Sequence, residues 1–174
     1  MAIYEYEGMV PVIAAGTFVH EHATVIGNVT IGAGCYIAAS AVLRGDWGKV
    51  TVGEKSNIQD GCLLHTLPGE EVFLGPECHI AHGAIVHGAR LARHVVVGMN
   101  AVILDFAELA DNCVVGSNSL VPARMKIDAA TLVAGVPAKV KRELSEAELQ
   151  QWMAATRFYQ ELAPKCLSSL RRVS

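Results

Sequence analysis

Three side chains that can bind metals or charged groups recur at one interval along the chain. Arg44, His65 and His87 each follow the first aliphatic residue of a six-residue repeat. They are 21 and 22 residues apart, and surpluses of three residues around 45–47 and four around 68–69 interrupt the repeat between them. Subtracting the surpluses leaves 18 residues in both cases, or three repeats. The spacing therefore predicts a column of side chains on one face of a repeat structure.

This column has the spacing of a metal site. Neighbouring strands lie about 4.8 Å apart, so imidazoles one coil apart can converge on one ion, with Zn–N distances near 2.1 Å. His82 lies one face earlier, and the same arithmetic places Asp60 one coil before it, next to Gln59. A corner of the prism separates the two columns within one chain, and they could meet across a subunit boundary if three prisms pack side by side. A site with three histidines and an open position is typical of catalytic zinc.

The repeat that positions these residues extends from Val19 to Val121. Each unit begins with an aliphatic residue, often followed by glycine, and its fifth residue is small. A fixed short period is the signature of a solenoid. Two inward residues in every six indicate a parallel β-helix in which three units close one triangular coil. A single coil cannot bury its apolar face, so the coils must stack.

The C-terminal segment has a different pattern. We predict a β-helix domain over residues 1–140 and a helical segment over 141–174 that packs on the solenoid. Ser145 is a predicted N-cap, with glutamate three residues later as in a capping box. The apolar residues between 149 and 162 then follow a helical stripe. Pro164 is expected to end or kink this helix, and extension through Cys166, Leu167 and Leu170 is the alternative.

Composition limits the classes of function. A chain of 174 residues with a net charge of −3 indicates one globular unit and gives no reason to expect nucleic acid binding. Residues 22–43 lack Asp, Glu, Lys and Arg, but glycines and polar residues within the repeat argue against a membrane helix. With no basic-then-apolar leader, we expect a cytoplasmic protein.

Other polar residues have plainer interpretations. Four cysteines at the small inward positions are expected to be buried hydrophobes rather than disulfides or zinc ligands. The remaining histidines are expected on the solvated surface: His20, His22, His79 and His94. A structural salt-bridge network is an alternative role for Arg44, Asp46 and Asp60.

The motifs at these positions resemble those of the γ-class carbonic anhydrase family of left-handed β-helix proteins. The matching segments occur in the family's order and the resemblance covers nearly the whole chain: Arg44-Gly45-Asp46, Asn57-Ile58-Gln59-Asp60, His65 and His82 to Gly88. The resemblance implies a homotrimer with one metal at each interface, held by His65 and His87 of one chain and His82 of the next. Zn2+ is the expected ion, and Fe2+ and Co2+ also accept imidazole.

The same resemblance implies roles for other residues. Arg44 would pair with Asp60 across the interface, and Gln59 would hydrogen-bond near the metal-bound water. Tyr159 would reach the pocket from the helix. Asp46 and Asn57 complete the candidate catalytic set through their place in the matched motifs.

Within the family, the chain most resembles the branch of phenylacetic acid degradation and carnitine operon proteins. Trp47 stands where the archetypal carbonic anhydrase of this class has glutamate, and the loop over 66–71 is short. The branch implies hydrolysis of acyl-CoA thioesters. A metal-activated water can attack CO2 or a thioester carbonyl, so carbonic anhydrase activity on CO2 and bicarbonate is the first alternative. A non-catalytic accessory protein and, by fold analogy, an acyltransferase are the others.

Overall fold

The computed structural model describes residues 2–174 as a left-handed parallel β-helix of about seven turns, which confirms the predicted fold class. Its short strands form three faces, with one long C-terminal helix beside them. The elements, in chain order, are β1 (Ala2–Tyr4), β2 (Val12–Ile13), β3 (Phe18–Val19), β4 (Thr24–Ile31), β5 (Tyr36–Ile37), β6 (Val42–Val52), β7 (Asn57–Ile58), β8 (Leu63–His65), β9 (Glu71–Leu74), β10 (His79–Ile80), β11 (Ile85–His87), β12 (Arg90–Leu91), β13 (Val96–Val97), β14 (Val102–Ile103), β15 (Glu108–Leu109), β16 (Val114–Val115), β17 (Leu120–Val121), β18 (Lys126–Ile127), β19 (Thr131–Gly135), β20 (Ala138–Glu143) and α1 (Glu146–Ser169).

The core is a stack of the predicted inward residues. Leu43, Leu64 and Val86, which precede the column of Arg44 and the two histidines, are fully buried. The four repeat cysteines are also fully buried, and all five cysteines are free thiols. Burial raises the pKa of Cys62 to about 11, so this thiol stays neutral and packs as a small hydrophobe.

The strand pairing reproduces the predicted three-repeat offset. His65 in β8 pairs with His87 in β11, and Leu43 in β6 pairs with Leu64 in β8. The side chains that follow these inward residues therefore share the first face, formed by β6, β8, β11, β14 and β17. The second face carries β3, β5, β7, β10, β13, β16, β19 and β20.

The first insertion is a bulge within one strand rather than a separate loop. β6 continues through it, and its residues Gly45 and Val50 pair with Gly27 and Val29 of β4. Residues 46–49 are therefore accommodated opposite a single residue of β4. The extra residues bend the strand and place Asp46 and Trp47 beside the histidine column, as bulges commonly do at functional sites.

The helix α1 packs along the second face, against β3, β5 and β7. Ser145 and Glu148 form the predicted capping box at the start of the helix. The buried residues of the helix are Thr156 and Ala163. The helix does not end at Pro164 but continues to Ser169. Proline removes one backbone hydrogen bond; Ala163 before it is buried, Cys166 after it is half-buried, and the rest of the last turn is exposed. In residues 2–174, no helix combines the length and apolarity needed to span a bilayer.

The predicted boundary at residue 140 stays a prediction. The last strand, β20, pairs antiparallel with β19 and reaches Glu143. The chain then turns into the helix through Leu144, which is buried with Val96 and Val114 in a small cluster between the solenoid and the helix.

Candidate metal centre

The first column brings two imidazoles together so that one nitrogen of each faces the other ring, with the ring planes tilted by 54°. His65 Nδ1 lies 3.1 Å from His87 Nε2. On its other side, His65 Nε2 lies 3.1 Å from Asp46 Oδ1. Arg44 Nη1 donates to the second oxygen of Asp46 at 2.6 Å, so the arginine orients the carboxylate that orients the histidine. The Trp47 ring lies 5.4 Å from the His65 ring and is 55% exposed.

The electrostatics of this column favour a neutral His65. Burial lowers the pKa of His65, and the neighbouring charge of Arg44 lowers it further. Burial alone would raise the pKa of the Asp46 carboxyl, but hydrogen bonds from Arg44 and His65 outweigh it and hold this pKa below its usual range. An ionised aspartate beside a neutral imidazole is the state in which a histidine binds a metal.

Asp105 contacts this column from the neighbouring coil, and sequence reasoning missed it. His87 Nδ1 lies 2.6 Å from Asp105 Oδ1, which leaves the Nε2 of His87 facing His65. Gly88 makes room for this contact, since it has a φ of +55° and a Cβ there would collide with Asp105 Oδ1. The spacing did not reveal it, because this coil is one residue short: Val86 pairs with Ile103, so Asp105 is in register with Gly88 and not with His87.

The second column has the predicted one-coil offset, but it lies at a corner of the prism rather than on the predicted second face. His82 Nδ1 lies 2.9 Å from Asp60 Oδ2, and both side chains are about half exposed. Both residues lie in the turns that leave the second face, rather than on the face itself. A residue two positions after an inward aliphatic already begins the corner, which brings this pair to an edge of the prism.

Gln59, Asn57 and Tyr159 lie beneath or on the helix α1. Asn57 and Gln59 are 1% and 2% exposed, and Gln59 Nε2 donates to Asn57 Oδ1 at 2.9 Å. The Tyr159 ring lies 5.5 Å from the Tyr36 ring and 5.4 Å from the ring of His79. Tyr159 therefore contacts the second face through Tyr36 and His79.

The prediction that His79 and His94 are solvated is wrong, because the helix α1 covers both. They are 7% and 4% exposed, whereas His22 is well exposed. His79 also has a partner one coil earlier, since it pairs with Asn57. The arithmetic that linked Asp60 to His82 applies equally to this pair.

Each of the three candidate ligand histidines thus has one ring nitrogen beside an aspartate. The pairs are His65 with Asp46, His82 with Asp60, and His87 with Asp105. Histidines that bind metals are typically held in this way by a carboxylate. Among residues 2–174 of one chain, no three His, Cys, Asp or Glu residues gather into a group able to hold a metal. A single chain supplies two of the expected ligands.

The facing nitrogens of His65 and His87 fit a metal ion. If each ring donates its proton to its aspartate, both facing nitrogens carry lone pairs, and lone pairs 3.1 Å apart require a cation between them. Two ligands on tetrahedral zinc, each about 2.0–2.1 Å from the ion, are about 3.3 Å apart. The donor set and its spacing therefore suit zinc or a similar ion.

The fold and this site define a hexapeptide-repeat β-helix protein with a candidate metal centre. Residues 11–45 match the family described as bacterial transferase hexapeptide (six repeats). The carnitine operon protein CaiE of Escherichia coli K12 is 41% identical over 170 residues, covering 98% of this chain and 87% of the relative. The chain belongs to the hexapeptide-repeat family that includes CaiE, which confirms the predicted resemblance to the carnitine operon branch.

Two solved structures share the fold over almost their full length. A Bacillus cereus protein provisionally assigned as an acetyltransferase superposes with a TM-score of 0.94 and 32% identity, covering 96% of this chain and 97% of that one. A hexapeptide transferase family protein from Anaplasma phagocytophilum superposes with a TM-score of 0.91 and 30% identity, covering 94% and 97%. The transferase names of these relatives favour an enzyme.

Proposed function

We propose that this protein is a metal-dependent hydrolase of acyl-CoA thioesters that acts as a homotrimer. The observation that carries the proposal is the set of three histidine–aspartate pairs, in which each histidine keeps one nitrogen free for a ligand. His65 and His87 of one chain and the partner subunit's His82 would hold the ion. Zinc is the expected metal, with Fe2+ and Co2+ as alternatives that imidazole also accepts.

When bound, such a metal supplies Lewis acidity and lowers the pKa of a coordinated water toward about 7. The residues of the chain supply position and polarity. Asp46, Asp60 and Asp105 hold the histidine tautomers, and Arg44 holds Asp46. In the overall reaction water adds to the thioester carbonyl, the C–S bond breaks, and a carboxylic acid and the CoA thiol are formed.

Trp47 favours a thioester over CO2. Its indole lies beside His65 where a proton-shuttling carboxylate would otherwise stand. Rapid CO2 hydration must export a proton at every turnover, so a poor shuttle limits its rate. An exposed indole instead offers an apolar wall to an acyl group, and burial of that wall contributes about 25 cal/mol per Å².

The separation of the two columns by a corner of the prism supports a trimer in which neighbouring chains complete the site. Across the interface Arg44 would pair with Asp60, in addition to the contact that Arg44 makes with Asp46 of its own chain. Asp60→Asn keeps an acceptor for His82 and removes the charge that Arg44 would meet. We expect this variant to dissociate at a higher protein concentration than the wild type in sedimentation experiments. A variant that stays trimeric at the same dilution would contradict the ion pair.

A direct assay separates hydrolysis from its alternatives. Protein loaded with zinc, iron or cobalt is tested for CoA release from aryl and alkyl thioesters and, in parallel, for CO2 hydration. We expect CoA release, abolished in His87→Ala and unchanged in the control His22→Ala, whose side chain is exposed on the surface. Rapid CO2 hydration without CoA release would instead support a carbonic anhydrase.

The second candidate is acyl transfer, which the transferase names of the two solved relatives favour. It predicts that CoA release from the same thioesters depends on an added amine or hydroxyl acceptor, whereas hydrolysis needs water alone. CoA release that appears only with an acceptor would replace the proposed reaction. Inactivity in every assay would favour an accessory protein.

A further inference from the structure

A chain of buried polar groups connects the helix α1 to Gln59. Asn57 and Gln59 flank the inward residue Ile58, so both point outward beneath the helix. Gln59 Nε2 lies 2.9 Å from Asn57 Oδ1 and 2.8 Å from His79 Nε2. Both amide N–H groups of Gln59 therefore have an acceptor, provided that the Nε2 of His79 carries no proton.

Donor groups face both ring nitrogens of His79. The NH2 group of Asn57 lies 3.4 Å from Nδ1, whereas that of Gln59 lies 2.8 Å from Nε2, so the shorter contact assigns the lone pair to Nε2. The hydroxyl of Thr156 then supplies an acceptor for the proton on Nδ1. Thr156 Oγ1 donates its one hydrogen to the carbonyl of Trp152 at 3.1 Å. The same oxygen lies 3.5 Å from His79 Nδ1 and 3.5 Å from His94 Nε2, so towards both rings it can act only as an acceptor. His79 then carries its proton on Nδ1 and offers the lone pair of Nε2 to Gln59.

His94 and the charge state of His79 agree with this assignment. If His94 donates from Nε2, its Nδ1 is a lone-pair atom, and this Nδ1 is a buried nitrogen without a partner. An unpaired acceptor there leaves no buried N–H group stranded. Burial, followed by the charges of His94 and His82, lowers the pKa of His79 to about 4, so the ring is neutral at pH 7 and has a single tautomeric proton.

The remaining polar atom of the amide is its oxygen, Gln59 Oε1. It accepts no hydrogen bond from residues 2–174. The fully buried side-chain atoms without a partner in that range are Thr66 Oγ1 and His94 Nδ1. Gln59 Oε1 is not one of them, so it reaches solvent, and the next residue, Asp60, contacts His82.

We infer that His79, held as its Nδ1–H tautomer by Thr156, is a positioning residue that makes Gln59 present its carbonyl oxygen rather than its NH2 group to the site. The inference rests on the proposed hydrolysis and states how the helix α1 sets the polarity of that site. An acceptor binds the O–H of an attacking water and leaves the oxygen lone pair free for the carbonyl carbon. An outward NH2 group would occupy that lone pair instead.

The first test reads the tautomer without metal or substrate. Protein labelled with 15N in its imidazole rings is studied by NMR in metal-free form, and the His79 signals are assigned by their loss in His79→Gln. We expect a protonated Nδ1 and an unprotonated Nε2. Thr156→Val removes the acceptor at constant volume and should shift His79 towards the Nε2–H tautomer, whereas Thr156→Ser should retain the wild-type pattern. A protonated Nε2 in the wild type, or no change in Thr156→Val, would overturn the inference.

The second test follows turnover in the same variants. With metal bound, Thr156→Val should lower kcat for thioester hydrolysis about tenfold, the effect of ~1.4 kcal/mol from one misoriented hydrogen bond, and leave KM nearly unchanged. Thr156→Ser should restore kcat. A Thr156→Val variant with the shifted tautomer and an unchanged kcat would contradict the positioning role. If the wild type has the Nδ1–H tautomer but hydrolyses no thioester, the proposed function is contradicted and the assigned tautomer still holds.

Discussion

Acidification should destabilise the folded protein through His79. Burial holds the pKa of this imidazole near 4, compared with an ordinary value of 6.5. As the pH falls below 6.5, His79 becomes protonated in the unfolded chain, whereas in the folded chain it becomes protonated only near pH 4. The contribution of the neutral ring to stability is therefore complete above pH 6.5 and is lost progressively as the pH falls towards 4.

The size of the effect follows from these two pKa values. At pH 4.5 the difference in proton uptake costs about 2.5 kcal/mol in the free energy of unfolding, and at pH 7.5 it costs almost nothing. That is a large share of the roughly 5–15 kcal/mol by which a folded domain is stable. The pKa of His94 is lowered by burial as well, so its ring acts in the same direction.

The assay compares the wild type with His79→Gln, which keeps a donor and an acceptor in the same place but does not titrate. Urea unfolding of metal-free protein is measured at pH 7.5 and 4.5, at one protein concentration because oligomer stability depends on it. We expect the wild type to lose about 2.5 kcal/mol more than the variant between the two pH values. Equal losses, or an NMR titration of His79 with a midpoint near 6.5, would refute the reasoning.

Three further predictions concern the metal centre. Mixing His65→Ala with His82→Ala subunits should restore metal binding that each variant lacks, because one interface of a mixed trimer combines intact ligands; no recovery after confirmed subunit exchange would contradict a shared site. Asp105→Asn should weaken metal affinity about 10–100-fold, as loss of a carboxylate behind a ligand histidine typically does, measured by chelator competition. Trp47→Glu should raise CO2 hydration and lower thioester turnover, and a variant with the opposite changes would exclude the indole as the selective element.

The repeat made much of the fold predictable. Inward residues such as Leu64 and Val86 recur with a period that only a stacked triangular coil explains, and the pairing of His65 with His87 followed from counting. The helix start at Ser145 was equally predictable, since a capping box is local. The sequence alone leaves open whether the helix continues through Pro164, because a proline and the apolar residues that follow it favour opposite outcomes.

The site was predictable where spacing alone determines position. Asp60 and His82 were correctly placed one coil apart. The burial of His79 and His94 was missed because it depends on where the helix α1 lies, and a helical stripe does not specify which face of the prism it covers. Asp105 was missed for a different reason, since the coil after Val86 is one residue short and places Asp105 opposite Gly88, from where it reaches back to His87.

The position of the metal tests the central claim most directly. Crystals of the zinc-loaded protein, measured on both sides of the zinc absorption edge, give an anomalous difference map that locates the ion. We predict one peak at each of the three interfaces of a trimer. Each peak should lie within about 2.1 Å of nitrogens of His65, His87 and the partner subunit's His82. Zinc held within one chain away from His65 and His87, or a fully loaded protein with no zinc at the interface, would contradict the account.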